Sequence, residues 1–349
     1  MTDQDRTLTE RRAAILRAIV SHYVGSGEPV GSKTIVDRFE IDASSATVRN
    51  EMGALEDAGY IYQPHTSAGR VPTDAGYRYF VDAWASNRRL PAADSRRVRR
   101  FFGEPRWELE EALRQTASLL SRLTDHAAVV FAPALEQSVV RHVELVGLAE
   151  GRAMLVVVTD SGRVENHVVG ISEAMDDVQL GDAGAMLNKL VVGRPLDEAP
   201  GIVEANLERL PLELKGTIAA TVGVLSAAIS TGEARRLFLE GTSNIVDEAK
   251  FADLETVRQV VSTLEHRRLL LEVLADALSV GSVSVRIGSE NELEEMHVCT
   301  VITAPYGSGE AAVGSLGIVG PTRMDYQRTI PAVYEVATYL GRMLSGFGT

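Results

Sequence analysis

Ile15, Leu16, Ile19, Val20 and Tyr23 recur at helical spacing and predict a helix over residues 9–24, with Thr9 as its N-cap. The next segment, GSGEPVG (Gly25–Gly31), carries three glycines and a proline and breaks that helix. Ile35, Val36 and Phe39 mark a short helix from Ser32 to Phe39, and the tight turn EIDA follows. Val48, Met52 and Leu55 form one narrow apolar face of a third helix, Ser45–Ala58, with Ser44 as N-cap and Gly59 just past its end. The pattern then changes. YIYQPH and RVPT read as short extended pieces joined by TSAG, and Thr73 caps a further helix, DAGYRYFVDAWA. Helices, hairpin and helix in this order predict a winged helix-turn-helix.

Asn87–Pro105 holds two prolines and six arginines and reads as a solvated, partly helical linker that can add phosphate contacts. From Trp107 to Asp125 the leucines 109, 113, 119, 120 and 123 predict a helix. Strand patterns follow in SVVRHVELVGL, RAMLVVVTD and RVENHVVGI, the last two joined by the turn signal DSG. After Ser172 the pattern is helical: GAMLNKLVV, then Leu214, Ile218, Val222, Leu225 and Ile229, and a helix from Asp253 to about Leu278. Strands return in SVSVRIG, MHVCTVITAPY and SLGIVG, before a final helix carrying Ile330, Val333, Ala337, Leu340 and Leu344. The strands bracket the helical block, which predicts an α+β domain interrupted by a helical insertion.

Charge alters this picture. The 349 residues carry a formal net charge of −13, the wrong sign for a typical DNA binder. Residues 1–100, however, hold 15 Lys and Arg against 13 Asp and Glu, so the acidity lies in the rest of the chain. A modest net charge binds phosphate when its cations share one face. An apolar content of 45% is that of a soluble globular protein. A single cysteine, Cys299, excludes an intrachain disulfide and points to the cytoplasm. No signal peptide is evident, and apolar runs such as Met154–Val158 are too short to span a bilayer.

The third helix carries the candidate chemistry. Ala46, Arg49, Asn50 and Gly53 lie opposite its apolar face, and small side chains let a helix sit deep in the major groove. Arg49 can read guanine O6 and N7, and Asn50 adenine N6 and N7. Ser44, Ser45 and Thr47 at the helix start, Lys33 on the second helix, and His65, Ser67 and Arg70 on the hairpin are the candidate phosphate contacts. GEPVGSKT resembles a phosphate loop, but Ser32 intrudes between Gly31 and Lys33 and a helix precedes it, so nucleotide binding is rejected. The seven histidines are scattered without metal-ligand spacing, and no G-x-S-x-G elbow exists. His297 and Cys299 are two apart on an expected strand, weak ground for a nucleophile and base. No enzyme, metal or cofactor is expected.

LTERRAAILRAIVSHYVGSGEPVGSKTI, SSATVRNEMGALEDAGYIYQPHTSAGRVPTDAGYRYFVD and GSLGIVGPTRMDY resemble the HrcA family, bacterial heat-inducible transcription repressors. GTSNI (Gly241–Ile245) and IGSEN (Ile287–Asn291) also resemble family segments. The resemblance covers essentially the whole chain. It implies a winged-helix DNA-binding domain over 1–86, a linker over 87–105, a GAF-like domain over 106–172 and 251–349, and an inserted dimerising domain over 173–250. It further implies a homodimer on an inverted-repeat CIRCE operator ahead of chaperone operons, with activity supported by the chaperonin GroEL. The expected seat is the cytoplasm, at the nucleoid, with no membrane partner. Leu214, Ile218, Val222, Leu225 and Ile229 are the candidate dimer surface. The rival expectation is a regulator whose GAF-like domain senses a small molecule.

Overall fold

The computed structural model describes residues 8–66, 68–85, 89–103, 109–132, 138–149, 151–160, 162, 164–171, 175–230, 237–244, 257, 260, 262, 264, 282–308 and 311–345. Helix α1 (Glu10–Ser26) starts at Thr9, whose side chain accepts from the Arg12 N–H. It runs through Gly25 and stops at Gly27, where a left-handed φ of 73° turns the Gly27 N–H back to the Tyr23 carbonyl. Helix α2 (Ser32–Arg38) and helix α3 (Ser45–Asp57) pack on it through Ile15, Leu16, Ile19, Ile35, Val48 and Leu55, each fully buried. The hairpin is short: β1 (Ile61–Tyr62) pairs antiparallel with β2 (Val71–Pro72). Val30 adds a third edge by pairing with Arg70. Thr73 then caps α4 (Asp74–Phe80), which widens into a looser turn over Val81–Ala85.

The expected linker is largely ordered helix. Helix α5 (Ala92–Gly103) buries Asp94 and Val98 and lies along the last helix of the chain. The body follows: α6 (Leu109–Thr124) and β3 (Ala127–Phe131), later joined by β7 (Leu237–Glu240), β8 (Ser284–Ile287), β9 (Cys299–Ser308) and β10 (Ala311–Pro321). These strands form one antiparallel sheet in the order β7-β3-β10-β9-β8. Its two faces have different covers. Ala128, Val130, Ile302, Ala304, Leu316 and Ile318 share a core with α6, the terminal helix and the N-terminal helices. Ala127, Val129, Phe131, Val301 and Val319 pack instead with Val257, Val260 and Leu264. Residues 257, 260, 262 and 264 are helical, and the remainder of the helix expected over 253–278 lies outside the described residues. Burial on both faces explains why β3 is apolar at every position.

Between β3 and β7 the chain makes a separate unit. β4 (Val140–Ala149), β5 (Arg152–Thr159) and β6 (Val164–Gly170) form their own three-stranded antiparallel sheet. Helices α7 (Asp177–Val191), α8 (Ala199–Asn206) and α9 (Leu212–Ser230) pack with it in one core. The boundary expected at 172/173 therefore falls inside a single core, and β7, from the block expected to be helical, belongs to the five-stranded sheet. Alternation of apolar residues tells which face of a strand is buried, not which sheet the strand joins. The chain closes with α10 (Tyr326–Ser345), which buries Ile330, Val333, Val336, Ala337, Leu340 and Leu344 on the body. The whole is a mixed helix-and-sheet architecture.

Candidate nucleic-acid interface

Helix α3 begins at two pairs of hydroxyls. The Ser44 hydroxyl accepts from the Thr47 N–H at 3.1 Å and lies 2.9 Å from the Thr47 hydroxyl. Ser45 meets the buried Ser32 at 3.0 Å, which joins the starts of α2 and α3. An N-cap satisfies one free helix donor and leaves others to meet an anion. Val48, Met52 and Leu55 hold the inner face. On the outer face Ala46, Arg49 and Asn50 are exposed, and neither the Arg49 nor the Asn50 side chain bonds to another described residue.

Two of the three acids of α3, Glu51 and Glu56, are paired. Glu51 accepts from Arg11 through Nε (3.1 Å) and Nη2 (2.7 Å) and from Arg12 Nε at 2.7 Å. Hydrogen bonds from Arg12 and then Arg11 hold its carboxyl below the usual glutamate range. Glu56 accepts from Arg70 Nε at 3.0 Å and is 2.8 Å from Arg70 Nη2. Glu51 and Glu56 thus fasten the helix to α1 and to the hairpin, so the charges it turns outward are Arg49 and, in its last turn, the exposed Asp57. Arg70, expected on phosphate, is a strut between hairpin and helix in this structure.

The hairpin tip is ordered by Gln63, a residue the sequence reading passed over. Its amide donates to the carbonyls of Thr66 (3.0 Å) and Ala68 (2.9 Å). Gly69 passes so close to Val30 that a Cβ there would lie 2.4 Å from the Val30 carbonyl carbon. His65 and Lys33 are exposed, and Ser67 lies outside the described residues. Ser44, Ser45, Thr47, Arg49 and Asn50 are gathered on one helix, flanked by Lys33 and His65 on neighbouring elements.

A seam fixes this unit on the body. Arg78 of α4 grips Glu290 with two nitrogens, Nε at 2.8 Å, and also donates to the Val285 carbonyl. Burial alone would raise the Glu290 pKa, but the Arg78 bond and the Ile287 N–H outweigh it and the carboxyl stays below its usual range. Asp74 accepts from both the N–H and the hydroxyl of Ser289 at 2.9 Å. Gly288 is needed there: its φ is +53°, and a Cβ would sit 2.2 Å from the Asp74 carboxylate. IGSEN, read only as a resemblance, is the socket for α4.

Other candidates resolve differently. Leu214, Ile218, Val222 and Leu225 are at most 8% exposed, packed against their own sheet, and so are not available to a second chain. The Ile229 side chain lies outside the described residues. Besides the exposed Val178 and Leu212 on its helices, this unit exposes apolar side chains on the other face of its sheet, where Val146, Met154 and Val168 line up across the strands. His297 sits in the turn before β9, with its ring nitrogen 3.0 Å from the Asn291 carbonyl, and does not meet Cys299. Burial pushes the Cys299 thiol up to about 12, leaving it protonated and a poor nucleophile. Among the described residues no three His, Cys, Asp or Glu gather as a metal set, and no helix is long and apolar enough to cross a membrane. A cavity of about 300 Å³ lies between β9 and α10, at the small end for a ligand site.

The chain is 43% identical to the heat-inducible transcription repressor HrcA of Streptomyces avermitilis, over 97% of this chain and 99% of that protein. It belongs to the HrcA family. The HrcA repressor of Thermobifida fusca is 41% identical over 99% of this chain and all of that protein. The family model for the HrcA protein C terminal domain matches residues 110–330. A crystal structure of a hypothetical protein shares the fold, with a TM-score of 0.62 at 24% identity over 97% of this chain and 98% of that one. HrcA proteins carry the name of transcription repressors, a regulatory and not an enzymatic role, and a repressor acts on DNA.

Proposed function

We propose that this HrcA-family chain is a dimeric, sequence-specific repressor of chaperone operons, which occupies an inverted-repeat CIRCE operator through a winged helix-turn-helix at residues 1–86. The observation that carries this reading is the outer face of α3, where Arg49 and Asn50 stand free while Glu51 and Glu56 are neutralised from behind. Arg49 and Asn50 read base edges. Ser44, Ser45, Thr47, Lys33, His65 and Ser67 hold phosphates, and Arg70 braces the wing, free to exchange Glu56 for phosphate on binding. The body (109–132 with 237–345) is the GAF-like domain and 138–230 the inserted unit, a division supported by separate sheets and cores.

An inverted repeat requires two reading helices related by a two-fold axis. The open face of β4–β6 is our dimer surface, since Val146, Val164 and Val168 are 40, 51 and 57% exposed. Heat releases the repressor by lowering its folded fraction, and GroEL restores it. Band-shift titration on the inverted repeat upstream of the organism's own chaperonin genes tests the reading. Binding there should be roughly nanomolar, and affinity no better than for a scrambled duplex would sink it. Val168→Asp should leave a folded monomer in sedimentation, and an intact dimer would move the interface elsewhere. Chaperonin addition should raise the DNA-active fraction.

A further inference from the structure

We propose that α5 is a second, sequence-independent DNA surface, which grips the phosphate backbone beside the half-site that α3 reads. The proposal rests on the DNA-binding reading above. The helix AADSRRVRRFFG carries four arginines and one acid. That acid, Asp94, is buried and turned inward: Arg328 donates to it at 3.1 Å from α10, and Arg97 reaches it at 3.7 Å. Val98 is fully buried, Ser95 donates to Glu335, and the Phe102 ring stacks on Tyr339 at 5.9 Å. The inner face is therefore clamped on the body, and the helix cannot swing as a loose linker would.

The outer face has no acid. At 100° per residue Arg96 and Arg100 stand at its centre, with Arg97 and Arg99 on its flanks. All four are exposed, and Arg96 and Arg100 have no ion-pair or hydrogen-bond partner among the described residues. A solvated arginine stripe on a body this acidic, 20 Lys and Arg against 35 Asp and Glu beyond residue 100, is a local reversal of sign. Phosphate is the ligand that matches it, since guanidinium forks pair with phosphate oxygens at fixed geometry.

Position supports the assignment. Arg12 of α1 binds Glu51 of α3, and Arg17, five residues on, lies 5.9 Å over the Trp84 ring. Val98 of α5 shares one core with Val48, Met52 and Leu55 of α3, so the arginine face is held at a fixed place relative to the reading helix.

The test is the salt dependence of binding, since each phosphate contact contributes about 0.9 to the slope of log affinity on log salt. Full-length protein is titrated by fluorescence anisotropy onto operator and scrambled duplexes between roughly 50 and 200 mM KCl. Arg96→Gln with Arg100→Gln removes four arginines from the dimer, and should flatten the slope by about 3.6 and weaken both duplexes by the same factor. The charge-matched pair Arg194→Gln with Arg209→Gln, exposed in the inserted unit away from its open sheet face, should leave the slope unchanged. Equal melting curves confirm that the variants fold. An unchanged slope for the α5 pair overturns the inference, and equal flattening by the control pair reduces it to bulk charge. If the wild type shows no operator preference the half-site reading fails, and the slope on scrambled duplex still decides α5.

Discussion

Helices α3 and α9 both present apolar residues at helical spacing, yet they have opposite fates. In α3 three buried residues, Val48, Met52 and Leu55, suffice to seat the helix, and its opposite face stays exposed. In α9 the stripe Leu214, Ile218, Val222 and Leu225 is consumed by its own sheet and α7. A stripe wide enough to look like an interface is here a core. What remains exposed once the core is complete, Arg49 and Asn50 in one unit and Val146, Val164 and Val168 in the other, is what a partner can meet.

The contrast can be broken most directly at Ile218. Ile218→Ala should cost roughly 2–4 kcal/mol of folding stability, read as a lower urea midpoint. A variant that keeps its midpoint but loses its dimer would return α9 to the interface. Arg49→Ala should do the reverse, leaving the melting curve unmoved while costing roughly 1–3 kcal/mol on the operator with relaxed base preference. Equal losses on every sequence would make Arg49 a phosphate contact. A smaller effect is expected at the seam. Arg78→Ala removes the grip on Glu290, and because both side chains are about a third exposed the cost should be about 1 kcal/mol. Proteolysis between α4 and the body should become faster, and an unchanged rate would mean the apolar packing holds the units without Arg78.

The smallest effect is a pH dependence. Glu51 and Glu290 have folded pKa values below the ordinary carboxylate value. Their contribution is therefore fully present above about pH 4.3, the unfolded value, and is lost as pH falls through the lowered folded value. Glu51→Gln should remove part of the difference in urea midpoint between neutral and acidic buffer. The expected size is under about 1 kcal/mol, since the pairs with Arg11 and Arg12 lie at the surface. A difference as large as the wild type's would show that Glu51 does not titrate with folding.

Local pattern named most elements because each carries its own signal. Thr9, Ser44 and Thr73 cap α1, α3 and α4 as expected, since a cap depends only on neighbours within one turn. β4, β5 and β6 were legible from alternation. Short pieces escaped: β7 is four residues long and has no alternation to read. Arginine density made residues 92–103 look like open linker, because the few residues that dock α5, Val98 and Phe102 among them, are sparse beside the charges.

The sequence by itself determined the element types, their caps, the separation of charge between the first hundred residues and the rest, and the outward position of Arg49 and Asn50. These follow from periods of two and 3.6 and from chemistry within a few residues. Tertiary structure alone decided which sheet each strand joins, that α9 faces inward, that Arg11, Arg12 and Arg70 neutralise Glu51 and Glu56 of α3, and that IGSEN receives α4. Those pairs are separated by 14 to 215 positions. Each of them exists only when the core has brought distant segments within a few ångströms, where a charge or a hydrogen bond counts.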